Sequence, residues 1–328
     1  MRRALALAAA TALLTGCAAA AYDGDGELLP PGELAPVAAK RADAVDVVVD
    51  TDLAPDDLLA LGYLLRHPGV RVHAITVPTT GLVNCPVGID LAYDLMTSVG
   101  VAPVPISCGD APRGAHGIAF PRSWSYAAAS DSGLTRVVGT WTETSPLAPG
   151  PLIGRLAAEH PGLQVVALGP ATELAAMLAT DPAAYARIAR IVTMTGVVTG
   201  PPQDDTAGEW NAAADPDALA AVLAGPVPVT VVPNEVAPEG QPAGVRAPVV
   251  GGLGVLTPAP TPRFWDLATA GYLTEPTAGR TESGTWSVDL TGEPGRLTRT
   301  GEGPHQVVTH LDTERLDAAY AEVFAFEQ

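Results

Sequence analysis

Val45-Asp46-Val47-Val48-Val49-Asp50-Thr51-Asp52-Leu53-Ala54-Pro55-Asp56-Asp57-Leu58-Leu59-Ala60-Leu61 reads as a strand, a turn and a helix in immediate succession. The β-branched run suits a buried strand, and a proline followed by two acids and a leucine-rich stretch suits the first turn of a helix. Asp52 then falls just past the carboxyl end of the strand, where open α/β sheets bind their ligands. Asp50, Asp52, Asp56 and Asp57 lie within eight residues and repel one another unless a cation sits among them. Their hard oxygen donors suit Ca²⁺ or Mg²⁺ better than zinc. The plain alternative is a solvated, helix-capping acidic turn, which accounts for Asp56 and Asp57 but less well for Asp52.

Working outward, Val70–Val77 reads as a second strand, a helix follows around Val87–Val99, and a third strand falls near Val104–Ser107. Leu163–Leu168, stopped by Gly169-Pro170, Ile188–Val198 and Val227–Pro233 extend the alternation. This rhythm predicts one α/β domain with a mixed, mainly parallel sheet flanked by helices and a Rossmann-like core. The 328 residues with 47% hydrophobic content suffice for a full core. A net charge of −18, with no basic cluster, excludes nucleic acid and anionic membrane surfaces as electrostatic partners.

Upstream of the domain, Met1-Arg2-Arg3 and the apolar run Ala4–Leu14 read as a secretion signal too short to span a bilayer. Leu14-Thr15-Gly16-Cys17 resembles the bacterial lipobox, which makes Cys17 the lipidation site. The expected organisation is a signal peptide over 1–16, a lipidated cysteine and flexible tether over 17–44, and a catalytic domain over 45–328. The protein would then be exported and held outside the cytoplasm at the cell membrane by its lipid anchor alone. Cys85 and Cys108 remain, and sequence leaves open whether they are thiols or a disulfide.

Asp50-Thr51-Asp52-x-x-x-Asp56-Asp57 resembles the amino-terminal signature of the inosine-uridine-preferring nucleoside hydrolases, which bind Ca²⁺ and cleave the N-glycosidic bond of ribonucleosides. The Asp-x-Asp of haloacid dehalogenase-like phosphatases is the competing motif, but Leu53-Ala54 fits it poorly and it has no counterpart of Asp56-Asp57. Two later segments resemble the same hydrolases. Leu168-Gly169-Pro170 precedes Thr172-Glu173-Leu174, and Glu209-Trp210-Asn211 precedes Asp215-Pro216. A third, Trp265-Asp266, matches the family's His-Asp with tryptophan in place of histidine, as in purine-specific members.

The resemblance implies a Ca²⁺ ligand set of Asp52, Asp57, the Leu168 carbonyl and Asp266, with Asp52 also the base that activates water. It implies a ribose pocket from Asp56, Glu209 and Asn211, with Gln203 a weaker candidate, and a base-stacking role for Trp265 with Trp124. Glu209 and Asn211, two residues apart, would face one cavity if that segment were extended. Asp215 is left as a helix cap, and His305 and His310 lack ligand spacing. The implied reaction is Ca²⁺-dependent hydrolysis of purine ribonucleosides to base and ribose, as in purine salvage, and the resemblance leaves room for a homo-oligomer. Two departures stand out: Leu82 where the family has asparagine, and Thr195 where it usually has glycine. They support the alternative of a non-catalytic nucleoside- or sugar-binding lipoprotein; a metal-dependent phosphatase is the other.

Overall fold

The computed structural model describes residues 34–130, 144–205, 207–240, 242–245 and 263–325. The expected signal peptide, Cys17, most of the tether and most of the Gly/Pro-rich stretch 241–262 lie outside the described residues.

The deciding stretch folds as read. β1 (Val45–Asp50) leads through a four-residue turn into α1 (Pro55–Arg66), with proline in the first turn. Then come β2 (Val70–Val77), α2 (Val87–Ser98), β3 (Ile106–Cys108), α3 (Arg122–Ser130) and α4 (Pro149–Glu159). They are followed by β4 (Gln164–Ala167), α5 (Thr172–Thr180), α6 (Pro182–Tyr185), β5 (Arg190–Met194), α7 (Trp210–Ala214), α8 (Pro216–Leu223) and β6 (Val229–Val232). The chain closes with α9 (Trp265–Thr274), β7 (Gly279–Val288), β8 (Leu297–Leu311) and α10 (Thr313–Val323).

Eight strands form one sheet in the order β3-β2-β1-β4-β5-β6-β8-β7, parallel throughout except that β7 runs antiparallel to β8. The fold is therefore the expected mainly parallel α/β sheet. Strand order reverses between β1 and β4, so the loops leaving these strands diverge and open a crevice at their carboxyl ends.

Side-chain alternation along the strands sorts two cores. Val47 and Val49 point into the layer formed by α1, α2, α9 and α10, whereas Val48 points into that of α4, α5, α6 and α8. From Asp57 onward α1 is buried on every side, because α9 covers the face that the sheet leaves open. Leu59, at 0% exposure, is one of the side chains that fix its depth, and truncating such a residue to alanine costs about 3 kcal/mol.

Residues 34–44, placed within the expected tether, dock against the body: Lys40 Nζ donates to the Leu65 and His67 carbonyls at 2.7 and 2.9 Å at the end of α1. The Ala35 amide bonds the Ala325 carbonyl, so the folded body begins before Val45. After β3 the chain forms α3, which Pro121 precedes. β7 and β8 form one long antiparallel hairpin whose register shifts near Gly284, where a glycine tolerates the bulge.

Cys85 and Cys108 are joined, with Cα atoms 5.9 Å apart. The bond ties the segment before α2 to the end of β3 across a separation of 23 residues. Removing that closure frees the unfolded chain, and the chain-entropy relation sets the loss at about 3 kcal/mol. Equilibrium urea unfolding of Cys85→Ala/Cys108→Ala is expected to show a lower midpoint and a somewhat steeper slope, because the uncrosslinked unfolded chain exposes more surface. An unchanged midpoint would show that the crosslink contributes nothing.

Candidate active site

Two helices aim their amino termini at the crevice. Asp56 and Asp57 occupy the first turn of α1, Asp266 the first turn of α9, and both positive helix ends favour carboxylates. Ligand oxygens of Asp56, Asp57 and Asp266 all lie within 4.8 Å of one another. Asp52 stands beside them on the turn after β1, and its charge is among those that push Asp57. Residues more than 200 positions apart thus meet at the switch point of the sheet.

The turn that presents Asp52 is tightly built. Leu53 adopts φ 56°, the left-handed region, while its side chain is wholly buried. Such a backbone in a leucine is strained by about 1 kcal/mol or more and persists because the surroundings dictate it. Asp52 Oδ2 accepts the Leu82 amide at 2.8 Å, and the Asp52 carbonyl accepts the Val83 amide at 2.9 Å. Gly81 is needed for that approach, since a Cβ there would lie 2.2 Å from Asp52 Cβ. We expect Gly81→Ala to push the 78–84 loop away from Asp52 and to lower turnover more than it lowers stability, measured by kcat alongside thermal unfolding. Equal losses in both would identify Gly81 as purely structural. The departure at Leu82 is met by its main chain, which reaches Asp52 without an asparagine side chain.

Electrostatics describe an unbalanced cluster. Burial raises the Asp52 carboxyl to about 7, with Asp56 and Glu209 adding like charge against the pull of the Leu82 and Ala54 amides. Burial likewise holds Asp57 and Asp266 well above the usual carboxylate range, with neighbouring aspartates raising both further. Asp50, behind them, is pushed up to about 8 by burial and hydrogen-bonds Thr76. Among the described residues, none of Asp52, Asp56, Asp57 and Asp266 is ion-paired with Lys, Arg or His. Asp57 Oδ1 accepts from Thr51, but Asp57 Oδ2 and Asp266 Oδ1 are buried with no hydrogen-bond partner. Buried carboxylate oxygens left over in this way suit a hard divalent cation, and these residues therefore fit one.

The remaining sequence candidates fall into two groups. Leu168 follows β4, its amide donating to the Asp50 carbonyl at 2.7 Å, and its carbonyl accepts Asn211 Nδ2 at 2.7 Å; the same side-chain amide reaches the Met194 carbonyl at 3.3 Å. The Glu209–Asn211 segment is not extended: Glu209 caps α7, accepting the amides of Asn211, Ala212 and Gly196 at 2.7 to 2.9 Å. Capping at a helix start outcompetes the extended form because it satisfies several orphan amides at once. Thr195 contributes a longer hydroxyl contact to the same carboxylate. Gln203 Oε1 accepts the Trp210 amide at 3.0 Å, so it braces α7. Asp215 caps α8 through the Ala218 amide, as its Asp-Pro pairing suggests.

Trp265 heads α9 next to Asp266 and donates Nε1 to the Asn234 carbonyl at 3.2 Å. Trp124, on α3 and 45% exposed, does not meet it among the described contacts. It packs edge-on against Trp210, centroids 5.2 Å apart, and Trp210 in turn stacks on Phe120 at 5.3 Å. Trp210 escaped the sequence reading because it stands where the resembling motif has phenylalanine. Its aromatic identity between Glu209 and Asn211 was the available signal. Asn234 also went unnoticed: it follows β6 at the same sheet edge, with Oδ1 buried and lacking a hydrogen-bond partner.

The chain and its fold are similar to those of known proteins. The chain resembles the solved structure of a purine-preferring ribonucleoside hydrolase from Gardnerella vaginalis (TM-score 0.72, 20% identity, 85% of this chain and 98% of that one). The inosine-uridine preferring nucleoside hydrolase from Bacillus anthracis is similar at TM-score 0.69 and 19% identity, again over 85% and 98% of the two chains. At these identities the likeness concerns the fold. Among curated proteins, the pyrimidine-specific ribonucleoside hydrolase RihA of Salmonella agona is 25% identical over 213 residues, 60% of this chain. The match spans 63% of that relative's length. Residues 47–318 match the sequence profile of the inosine-uridine preferring nucleoside hydrolases, with the acids of α1 and α9 both inside the matched span, and the chain belongs to that family.

Proposed function

We propose that the protein hydrolyses the N-glycosidic bond of ribonucleosides, purine nucleosides foremost, in a Ca²⁺-dependent reaction that yields free base and ribose. The observation that carries this reading is the meeting of Asp56, Asp57 and Asp266 beside Asp52 at the sheet's switch point, with carboxylate oxygens buried and unsatisfied. Asp56, Asp57 and Asp266, whose oxygens converge, would hold the cation, with Asp52 and the Leu168 carbonyl completing its surroundings. When bound, Ca²⁺ would supply the positive field that acidifies a water and grips vicinal sugar hydroxyls.

The residues divide the remaining work. Asp52, oriented by the Leu82 amide, takes a proton from the attacking water as its oxygen bonds the anomeric carbon. The bond from that carbon to the base nitrogen breaks, and the base leaves with a proton from solvent. Positive charge spreads over the sugar ring on the way, and the surrounding carboxylates favour it. Asn211, fixed through its amide nitrogen by two carbonyls, offers its oxygen to the ribose, while Glu209 holds Asn211 in place from the start of α7.

For the base, Trp124 and Trp210 offer a broad aromatic platform and Trp265 a ring beside Asp266. Stacking of this kind is worth about 1 kcal/mol, so Trp124→Ala is expected to raise KM for inosine roughly fivefold and to change KM for uridine less. Equal effects on both would remove the purine preference from the proposal. Base release from inosine also separates catalysis from the alternative of a binder without turnover, whose support is the pair Leu82 and Thr195.

We further propose export and lipid anchoring through Cys17; the Cys85–Cys108 bond suits an oxidising compartment. No helix among the described residues is long and apolar enough to cross a membrane. Metabolic labelling with a palmitate analogue, lost in Cys17→Ala, tests the anchor; labelling retained in that variant would refute it.

A further inference from the structure

A second cluster of metal-ligating side chains lies at the opposite edge of the sheet. Asp46 is the second residue of β1, His73 lies in β2, and His160 ends α4. One donor atom from each falls within 4.8 Å of the other two, and all three residues are half-buried, so the group is screened yet reachable from solvent. Asp52 lies six residues further along the chain, which at about 3.3 Å per strand residue separates the two clusters by roughly 20 Å.

Local structure brings His73 to this place. In the β1–β2 ladder Val47 pairs with Val72 and Val48 with Ala74, so His73 is the extra residue of a bulge. A bulge commonly re-aims a side chain, and here the imidazole turns to Asp46, with Nε2 2.8 Å from Asp46 Oδ1. The His73 and His160 rings stack with centroids 3.8 Å apart and planes 28° from parallel. Arg71, whose Nη1 lies 2.8 Å from Asp46 Oδ1, is the ionic partner that faces the group and competes for Asp46.

We propose that Asp46, His73 and His160 form a binding site for a Zn²⁺-type divalent cation, distinct from the acid cluster at the crevice. Two imidazoles and one carboxylate form a donor set that suits zinc and its transition-metal neighbours and that Ca²⁺ does not seek. Zinc bonds near 2.0 to 2.1 Å place tetrahedral donors about 3.3 Å apart, so three donors already inside 4.8 Å reach one ion once the stacked imidazoles turn to aim both nitrogen lone pairs at it. Water takes the fourth position. The ion displaces the His73 contact to Asp46 and ties the end of α4 to the edge of β1 and β2.

The test uses untagged full-length protein in excess Ca²⁺, which saturates the acid cluster, titrated with Zn²⁺ by calorimetry and in competition with a chromophoric chelator. One Zn²⁺ per chain is expected, with binding weakened at least tenfold in both H73Q and H160Q. His116, which contacts Asp217 at 2.8 Å elsewhere on the surface, supplies the control: H116Q should bind as the parent does. His160 follows the last turn of α4, so H160Q carries the test should H73Q fold poorly. Absence of binding tighter than about 0.1 mM would overturn the site, as would unchanged affinity in H160Q.

Discussion

Asp52→Asn is expected to lower kcat for inosine by about 10²- to 10⁴-fold, the range for losing a general base, while the protein keeps its fold. The substitution preserves the volume of a side chain packed between Gly81 and Gly169, and the amide can still accept the Leu82 N–H. It also removes one of several repelling carboxyls, so thermal stability without metal should not fall. With Ca²⁺ saturating, so that mass action offsets the loss of one carboxylate ligand, KM should change less than kcat, because proton transfer belongs to the transition state. A variant within a factor of a few of the parent would remove Asp52 from the chemistry.

Asp266→Asn is expected to separate two stabilities that move together in most core variants. Burial and the charges of Asp57 and Asp56 hold Asp266 well above its ordinary range, so the cation-free protein carries a penalty that asparagine relieves. Without metal, the variant should therefore melt at or above the parent. With Ca²⁺ the order should reverse. A ligand present at a hundred times its Kd adds about 2.7 kcal/mol, or roughly 5 °C for a domain of this size, and the variant should lose most of that gain. Scanning calorimetry with and without Ca²⁺ reads both arms. A variant that is less stable in both, with the Ca²⁺ shift intact, would make Asp266 an ordinary core residue.

Much of this arrangement was legible in the chain. The run from Val45 to Leu61 states strand, turn and helix with periodicity and a proline, and its acids stand out because they follow an apolar strand. The membership of Asp266 has no local signature, since its ring of partners lies more than 200 residues upstream, and only resemblance to a known motif singled it out. Other features were hidden for physical reasons. Residues 34–44 lack hydrophobic periodicity because they dock through main-chain carbonyls and a lysine, and composition alone resembles a tether. Glu209 shows the limit of spacing rules: a two-residue interval means a shared face only in extended chain, and a carboxylate ahead of a short helix caps it instead. Asp46, His73 and His160 come from three elements, and a bulge that no composition reveals turns His73 toward Asp46. The two remaining cysteines illustrate the same point, because only the parallel placement of β2 and β3 brings them within bonding distance.

The most direct measurement is release of hypoxanthine from inosine by the purified protein, first with Ca²⁺, then after exhaustive chelation, then with Ca²⁺ restored. Base release that stops on chelation and returns on readdition is the expected result. Release that continues undiminished in the chelated protein, or no release in any of the three conditions, would contradict a cation-dependent nucleoside hydrolase built on Asp52, Asp57 and Asp266.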